Sequence, residues 1–274
     1  MTKIALRKFG NVRDGDAKRI LAIMEDLYGE FEEPPDLVEL LLFEDLDLRN
    51  AQVAEEARNR SAPLGDPGEG LLSIHECWGG SPRVYISLDI ASSLPEGALR
   101  GMLEHEVGHT VLHGSLESYI FPLDLVRDYE AIFGAEFARA LLTIVAASVK
   151  DFEVTRLWAG MGASRDQMDF VDHFLSSNEE EKASYAIAKS GPDSALLFLA
   201  SIMKPVACAH PLTMDPAVGP RAERSISEFL SFMDDEERRG ILGILGEISS
   251  RGSHDTLENV MVAMENLRLR FPHA

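Results

Sequence analysis

The chain has 274 residues, of which 46 are acidic and 26 basic, so its formal charge is −20. A chain this acidic does not hold nucleic acid by charge, because that binding needs basic side chains that displace counterions from the phosphates. Anionic lipid repels it as well. Hydrophobic residues make up 45% of the chain, enough for a globular core at this length, which argues against global disorder.

The cysteines and the apolar segments of the sequence indicate the compartment in which the protein is expected. Cys77 and Cys208 are far apart and form no CxxC, so the sequence indicates neither a disulfide framework nor a structural zinc knuckle. The first eight residues lack the apolar region of a signal peptide, and the longest apolar run, residues 140–149, is too short to span a bilayer. We therefore expect a cytoplasmic protein with no nucleic-acid or membrane partner. Its oligomeric state is left open.

The first ninety residues mix strand and helix patterns, and Gly and Pro separate them. The first predicted elements are a strand at Lys3–Phe9, a helix at Asp16–Tyr28, a strand at Leu37–Phe43 and a helix at Gln52–Arg60. A turn-rich loop over residues 65–70 follows. The segments Leu71–Cys77 and Arg83–Leu88 flank a Gly-Gly-Ser-Pro stretch and predict a hairpin.

After Leu94 the pattern is almost entirely helical. Capping boxes predict that Ser93, Ser164 and Asp255 are N-caps. The later helices are predicted near residues 137–158, 165–175, from 179, 193–207, 222–233, 235–248 and 256–271. The expected fold class is therefore α+β: a small N-terminal twisted sheet with helices, then an all-helical C-terminal half. We expect a functional region over residues 1–160 and a helical subdomain over 161–274.

The helix that begins near Leu94 is the most clearly delimited element. It is apolar on nearly every side, which is typical of a buried helix, and Gly114 is its expected stop. Its second half contains the motif His-Glu-Val-Gly-His at residues 105–109. Two histidines four residues apart share one face, about 6 Å apart along the axis. Both can present a nitrogen to one Zn²⁺.

The residue between the histidines supplies the second part of the chemistry. Glu106 follows the first histidine and can reach a water at the metal, where a carboxylate serves as general base. Burying two histidines and two glutamates in an apolar helix is costly without a partner such as a metal. His105 and His109 are therefore the predicted ligands and Glu106 the predicted catalytic residue.

Two helical ligands leave zinc in need of a third, and several residues are candidates. His113 lies two turns after His105, too far for one zinc on a straight helix, so it is more suited to an outer or substrate-facing position. The charged stretch 150–156 follows an apolar stripe on a later helix, where Asp151 and Glu153 project from different edges and only one can face the metal. Glu130 and Glu136 are further candidates.

The motif at residues 105–109, with an acidic residue on a later helix, resembles the zincin-like metallopeptidases, and more narrowly their gluzincin type. It is also similar to uncharacterised archaeal proteins with HExxH. The resemblance covers about residues 70–160. It implies zinc held by His105 and His109, Glu106 as the catalytic base, and a peptide or protein substrate. In those folds an edge strand holds the extended substrate, and Arg83–Leu88 is the matching segment here.

The resemblance leaves the third ligand open. In membrane-associated relatives the ligand begins a pattern of an acid, three residues and Asp, which would assign Asp151, but Thr155 stands where Asp is expected. The gluzincin ligand is Glu, which favours Glu153. We expect Asp151 slightly more and keep both.

An oxyanion-stabilising residue is also expected. By residue type the candidates are His113, Tyr119, Tyr129 and His210. Two other functions remain compatible with the sequence: a zinc-binding regulatory or inactive zincin-like module without hydrolase activity, and an acidic helical adaptor that binds a basic partner.

Overall fold

A computed structural model of the chain describes residues 2–60, 73–77, 79–176 and 178–271. The predicted loop at 65–70 and the first two residues of the predicted strand Leu71–Cys77 lie outside the described residues. The chain forms two compact units, Met1–Ile120 and Phe121–Ala274. The long helix that ends at Gly160 belongs to the second unit, whereas the expected functional region extends to residue 160; that region and its boundary stay a prediction.

The first unit contains a four-stranded mixed sheet in the order β1-β2-β4-β3. Its strands are β1 (Lys3–Phe9), β2 (Leu37–Phe43), β3 (Ser73–Glu76) and β4 (Arg83–Ser87). β1, β2 and β4 pair in parallel, and β3 pairs antiparallel with β4, which confirms the predicted hairpin pairing. The α+β fold class with a helical C-terminal half is also confirmed.

The expectation that Arg83–Leu88 forms a substrate-holding edge strand is wrong. β4 lies between β2 and β3, with Val84 opposite Leu40 on one side and His75 on the other. Its backbone groups are thus used by two neighbours, and four of its five residues are buried, as in a central strand. The edge of the described sheet on this side is β3.

The helices of the first unit pack around this sheet. They are α1 (Asp14–Tyr28), α2 (Leu46–Arg60), the single turn α3 (Leu88–Ala91) and α4 (Glu96–Leu112). α2 contacts β2 and β4, whereas α1 and β3 both contact α4. Twelve of the seventeen residues of α4 are buried, so the prediction of a buried helix is confirmed.

The second unit is entirely helical over its described residues. After a short 3-10 turn at Leu116–Tyr119 in the first unit, its helices are α5 (Leu123–Phe133), α6 (Ala135–Gly160), α7 (Ser164–Phe174), α8 (Glu179–Ala188), α9 (Pro192–Ala209), α10 (Gly219–Phe229), α11 (Asp235–Arg251) and α12 (Thr256–Arg270). α6 is central: it packs against α5, α9 and α12. Its fourteen buried residues include the stretch from Ser148 to Thr155.

One described stretch, Pro192–Met214, is apolar and long enough to cross a membrane by length and composition alone. In the structure 67% of its 18-residue window is buried within the protein. A core helix passes the same test, so the stretch is weak evidence for a membrane span.

Two of the three predicted N-caps are wrong. α4 begins after Pro95, and Ser93 instead donates its hydroxyl to the carbonyl oxygen of Ile90 in the preceding turn. α7 includes Ser164 as its first residue, and no side chain caps it. Asp255 is an N-cap as predicted, since its Oδ1 accepts from the backbone N–H of Glu258 at 3.0 Å.

This difference predicts unequal effects of two truncations. Asp255→Ala removes a cap bond and should lower the free energy of unfolding by about 1 kcal/mol. Ser93→Ala removes only an exposed turn contact and should change it by about 0.5 kcal/mol or less. Chemical denaturation followed by circular dichroism measures both. Equal losses in the two variants would contradict the observed cap assignments.

Candidate metal centre

α4 carries the HExxH motif, and contacts at its C-terminal half fix its position. The Tyr28 hydroxyl of α1 forms a buried hydrogen bond of 2.7 Å with Thr110 Oγ1. At the end of the helix, the Cys77 thiol contacts the carbonyl oxygen of Gly114 at 3.1 Å. A Cβ atom at Gly114 would lie 2.0 Å from the Thr110 carbonyl oxygen, so only glycine allows the chain to leave the helix here.

The two histidines of the motif converge as their spacing predicts. His105 and His109 are 6% and 1% exposed, and their Nε2 atoms lie 3.0 Å apart. In a tetrahedral zinc site with bonds of about 2.0–2.1 Å, two ligand nitrogens are separated by about 3.3 Å. The observed separation is therefore close to that of a shared metal ligand pair.

Zinc needs a third protein ligand beside the two histidines. His105, His109 and the candidate carboxylate Asp151 are all buried. Two imidazole nitrogens and one carboxylate oxygen form a ligand set that zinc accepts, with one position left for water or substrate. The histidine pair supplies the two nitrogens of such a set.

Glu106 is buried and is held by β3. Its Oε1 accepts a hydrogen bond of 2.5 Å from the Ser73 hydroxyl, and its Oε2 lies 3.5 Å from His75 Nδ1. Burial acts to raise the pKa of Glu106. The contact with His75, the electrostatic interaction with His105 and the hydrogen bond from Ser73 outweigh burial, so the pKa is lowered. An ionised carboxylate can accept a proton, as a general base must.

Two further histidines surround His109. The His75 ring stacks on the His109 ring, with centroids 3.6 Å apart and planes 13° apart. His113 Nδ1 lies 3.3 Å from His109 Nδ1, the nitrogen opposite the one that faces His105. Residues that ligate metals through one ring nitrogen usually have a hydrogen-bonding partner on the other. The position of His113 suits that outer role, in agreement with its spacing.

Glu153, the second carboxylate candidate, makes a different set of contacts. Its carboxylate accepts hydrogen bonds from Thr256 Oγ1 at 2.7 Å and from Asn259 Nδ2 at 2.6 Å, so it joins α6 to α12. These contacts lie within the second unit and involve both carboxylate oxygens of Glu153.

The remaining carboxylate candidates belong to the second unit. Glu130 pairs with the largely exposed Arg139 at 2.8 Å, and Glu136 is exposed in the first turn of α6.

The candidates for oxyanion stabilisation belong to different units of the structure. Tyr119 lies in the first unit, where burial raises the pKa of its hydroxyl and the charges of Cys77, Glu76 and Glu106 add to the effect. Tyr129 and His210 lie in the second unit, Tyr129 in its hydrophobic core and His210 in a 3-10 turn. Of the three, Tyr119 is the one whose titration Glu106 influences.

Three residues around Glu106 were not predicted from the sequence. Ser73 and His75 contact it from β3, and the fully buried Arg49 of α2 lies close enough for the Glu106 charge to act on its pKa. Burial lowers the pKa of Arg49 to about 10, against the opposing charges of Glu106 and Asp89. The alternation of polar Ser73 and His75 around Ile74 in a predicted strand was the available signal.

Comparison of the chain with protein-family models, with curated proteins and with solved structures finds no match.

The contacts of Glu153 predict a structural role. Glu153→Ala removes an acceptor from the part-buried hydroxyl of Thr256 and from the buried amide of Asn259, and should lower the free energy of unfolding by about 1–3 kcal/mol. Glu136→Gln, an exposed change on the same helix, should alter it by about 0.5 kcal/mol or less. Denaturant titration measures both. A stable Glu153→Ala protein that no longer binds zinc would contradict this role.

Proposed function

We propose that the protein is a zinc-dependent hydrolase, and most specifically a peptidase. The observation that carries the proposal is the convergence of His105 and His109 on one helical face, where their Nε2 atoms lie 3.0 Å apart. Glu106, which follows His105 in the sequence, is buried as well. The pairing of a metal ligand set with an adjacent buried carboxylate is what metal-assisted hydrolysis requires.

The proposed ligands are His105, His109 and Asp151. They supply two neutral nitrogens and one negative oxygen, and three protein ligands leave a tetrahedral ion one open position. Zinc is favoured over magnesium or calcium, because those ions prefer sites made of oxygen ligands alone. Glu153, Glu130, Glu136 and His113 are not proposed as ligands.

The proposed chemistry divides between the ion and the chain. A bound Zn²⁺ supplies Lewis acidity, which lowers the pKa of a water towards 7 and polarises a substrate carbonyl. Glu106 accepts the proton of the attacking water and passes it to the leaving amine. Tyr119 is the proposed oxyanion helper. Its phenol carries its proton at neutral pH, as tyrosine ordinarily does, and can therefore donate a hydrogen bond.

The proposed substrate is a peptide or protein segment, met in the cytoplasm, with no nucleic acid or membrane involved. A chain with a formal charge of −20 favours basic or neutral segments over acidic ones. If an extended substrate pairs with an edge strand, β3 is the edge of the described sheet that contacts α4, whereas β4 is paired on both sides.

The metal claim predicts a distinct pattern of zinc content. Wild-type protein dialysed against zinc should retain close to one ion per chain, and His105→Ala should retain none because one of three ligands is lost. Glu106→Gln should keep the ion yet reduce hydrolysis of a fluorogenic peptide library by about 10²–10⁴-fold. Elemental analysis and fluorescence measure the two quantities. Glu96→Gln, exposed on the same helix, is the matched control and should match wild type in both.

The carboxylate variants extend the same experiment. Asp151→Ala should lose zinc affinity, whereas Glu153→Ala should retain it. Zinc retention without hydrolysis in wild type would favour a regulatory zinc module. A wild-type protein that binds no zinc, and whose free energy of unfolding is the same with and without added zinc, would contradict the proposal and favour an acidic adaptor.

A further inference from the structure

We propose that Ser73 and His75 of β3 are positioning residues that orient both Glu106 and His109. This inference rests on the proposed function, because it assigns a task to residues around that same site. It adds a second element, the edge strand, to a centre that the HExxH motif alone places on one helix.

The alternation of a strand brings the two residues together. Ser73 and His75 are two positions apart, so both side chains lie on one face of β3, and that face contacts α4. Ile74 lies on the other face, where it packs against the cluster of Leu41, Phe43, Val53 and Tyr85. The apolar contact of Ile74 anchors the strand, which leaves its polar face to meet the helix.

Each carboxylate oxygen of Glu106 has its own contact on this face of β3. Ser73 Oγ donates to Oε1 at 2.5 Å, and His75 Nδ1 lies 3.5 Å from Oε2. A glutamate side chain has three rotatable bonds, and a base must point at the proton that it accepts. Contacts at both oxygens restrict the carboxylate to one orientation, which reduces the reorganisation needed for proton transfer.

His75 makes a second contact of a different kind. Its ring lies parallel to that of His109 at 3.6 Å between centroids, and His105 approaches the same ring edge-on at 4.6 Å. Stacking limits rotation of the His109 ring about its side-chain bonds, and thereby fixes the direction in which Nε2 points. A metal ligand whose direction is preset binds at a lower cost in side-chain entropy.

The two tasks of His75 can be separated by substitution. His75→Phe keeps a planar ring for the stack but removes the N–H group, so zinc affinity should stay close to that of wild type while kcat falls about 10- to 100-fold. His75→Ala removes the ring as well, so zinc affinity should also fall about 10- to 100-fold. Zinc affinity is measured by competition with a chromophoric chelator, and kcat and KM with the fluorogenic peptide library.

The hydroxyl of Ser73 has its own pair of variants. Ser73→Ala should lower kcat by about 10-fold or more with KM and zinc affinity unchanged, and Ser73→Thr should restore kcat because threonine keeps the hydroxyl and suits a strand. Ile74→Val, on the opposite face of β3, is the matched control and should leave kcat and zinc affinity unchanged. Rescue by threonine distinguishes loss of the hydroxyl from loss of the fold.

The results separate this inference from the proposed function. If Ser73→Ala and His75→Phe turn over like wild type while Glu106→Gln is inactive, the inference is overturned and the proposed function stands. If Glu106→Gln turns over like wild type, the proposed function is overturned, and the roles of Ser73 and His75 fall with it. The zinc measurement does not depend on hydrolysis: equal zinc affinity in wild type and His75→Ala overturns the role in orienting His109.

Discussion

Polar groups in the centre of a buried helix are the constraint on which the first unit depends. α4 places His105, Glu106, His109 and Thr110 inside the protein, where each unpaired polar group costs about 1–3 kcal/mol. The surrounding elements therefore supply partners: α1 supplies Tyr28 for Thr110, and β3 supplies Ser73 and His75 for Glu106. The convergence of His105 and His109 at 3.0 Å follows from the same helix and suits a shared cation.

Much of the fold could be predicted because local pattern and tertiary context agree. β2 was predicted with its observed bounds, since its apolar run and flanking turns allow only a buried strand. The position of β4 inside the sheet could not be predicted. Strand order depends on which edges meet in three dimensions, and periodicity in one segment carries no information about its neighbours. The predicted N-cap at Ser93 is wrong for a related reason: the serine hydroxyl donates to the carbonyl oxygen of Ile90 in α3.

The candidate site also contains residues that the sequence predicts and residues that it does not. His105, Glu106 and His109 were predictable because the helix itself sets their geometry. Asp151 and Glu153 lie two positions apart on α6, and sequence could not choose between them, because the choice depends on the helix that covers each side. α12 provides Thr256 and Asn259 as donors for Glu153, whereas α9 places Cys208 and Lys204 beside Asp151. Ser73 and His75 were missed because their importance depends on where β3 meets α4.

The most direct test of the account is the zinc environment in the loaded protein, measured by X-ray absorption at the zinc edge. We expect a first coordination shell of nitrogen and oxygen at about 2.0–2.2 Å with the outer-shell scattering of two imidazole rings, and a loss of bound zinc in Asp151→Ala but not in Glu153→Ala. A shell without imidazole, or a wild-type protein that releases zinc on dialysis, would contradict it.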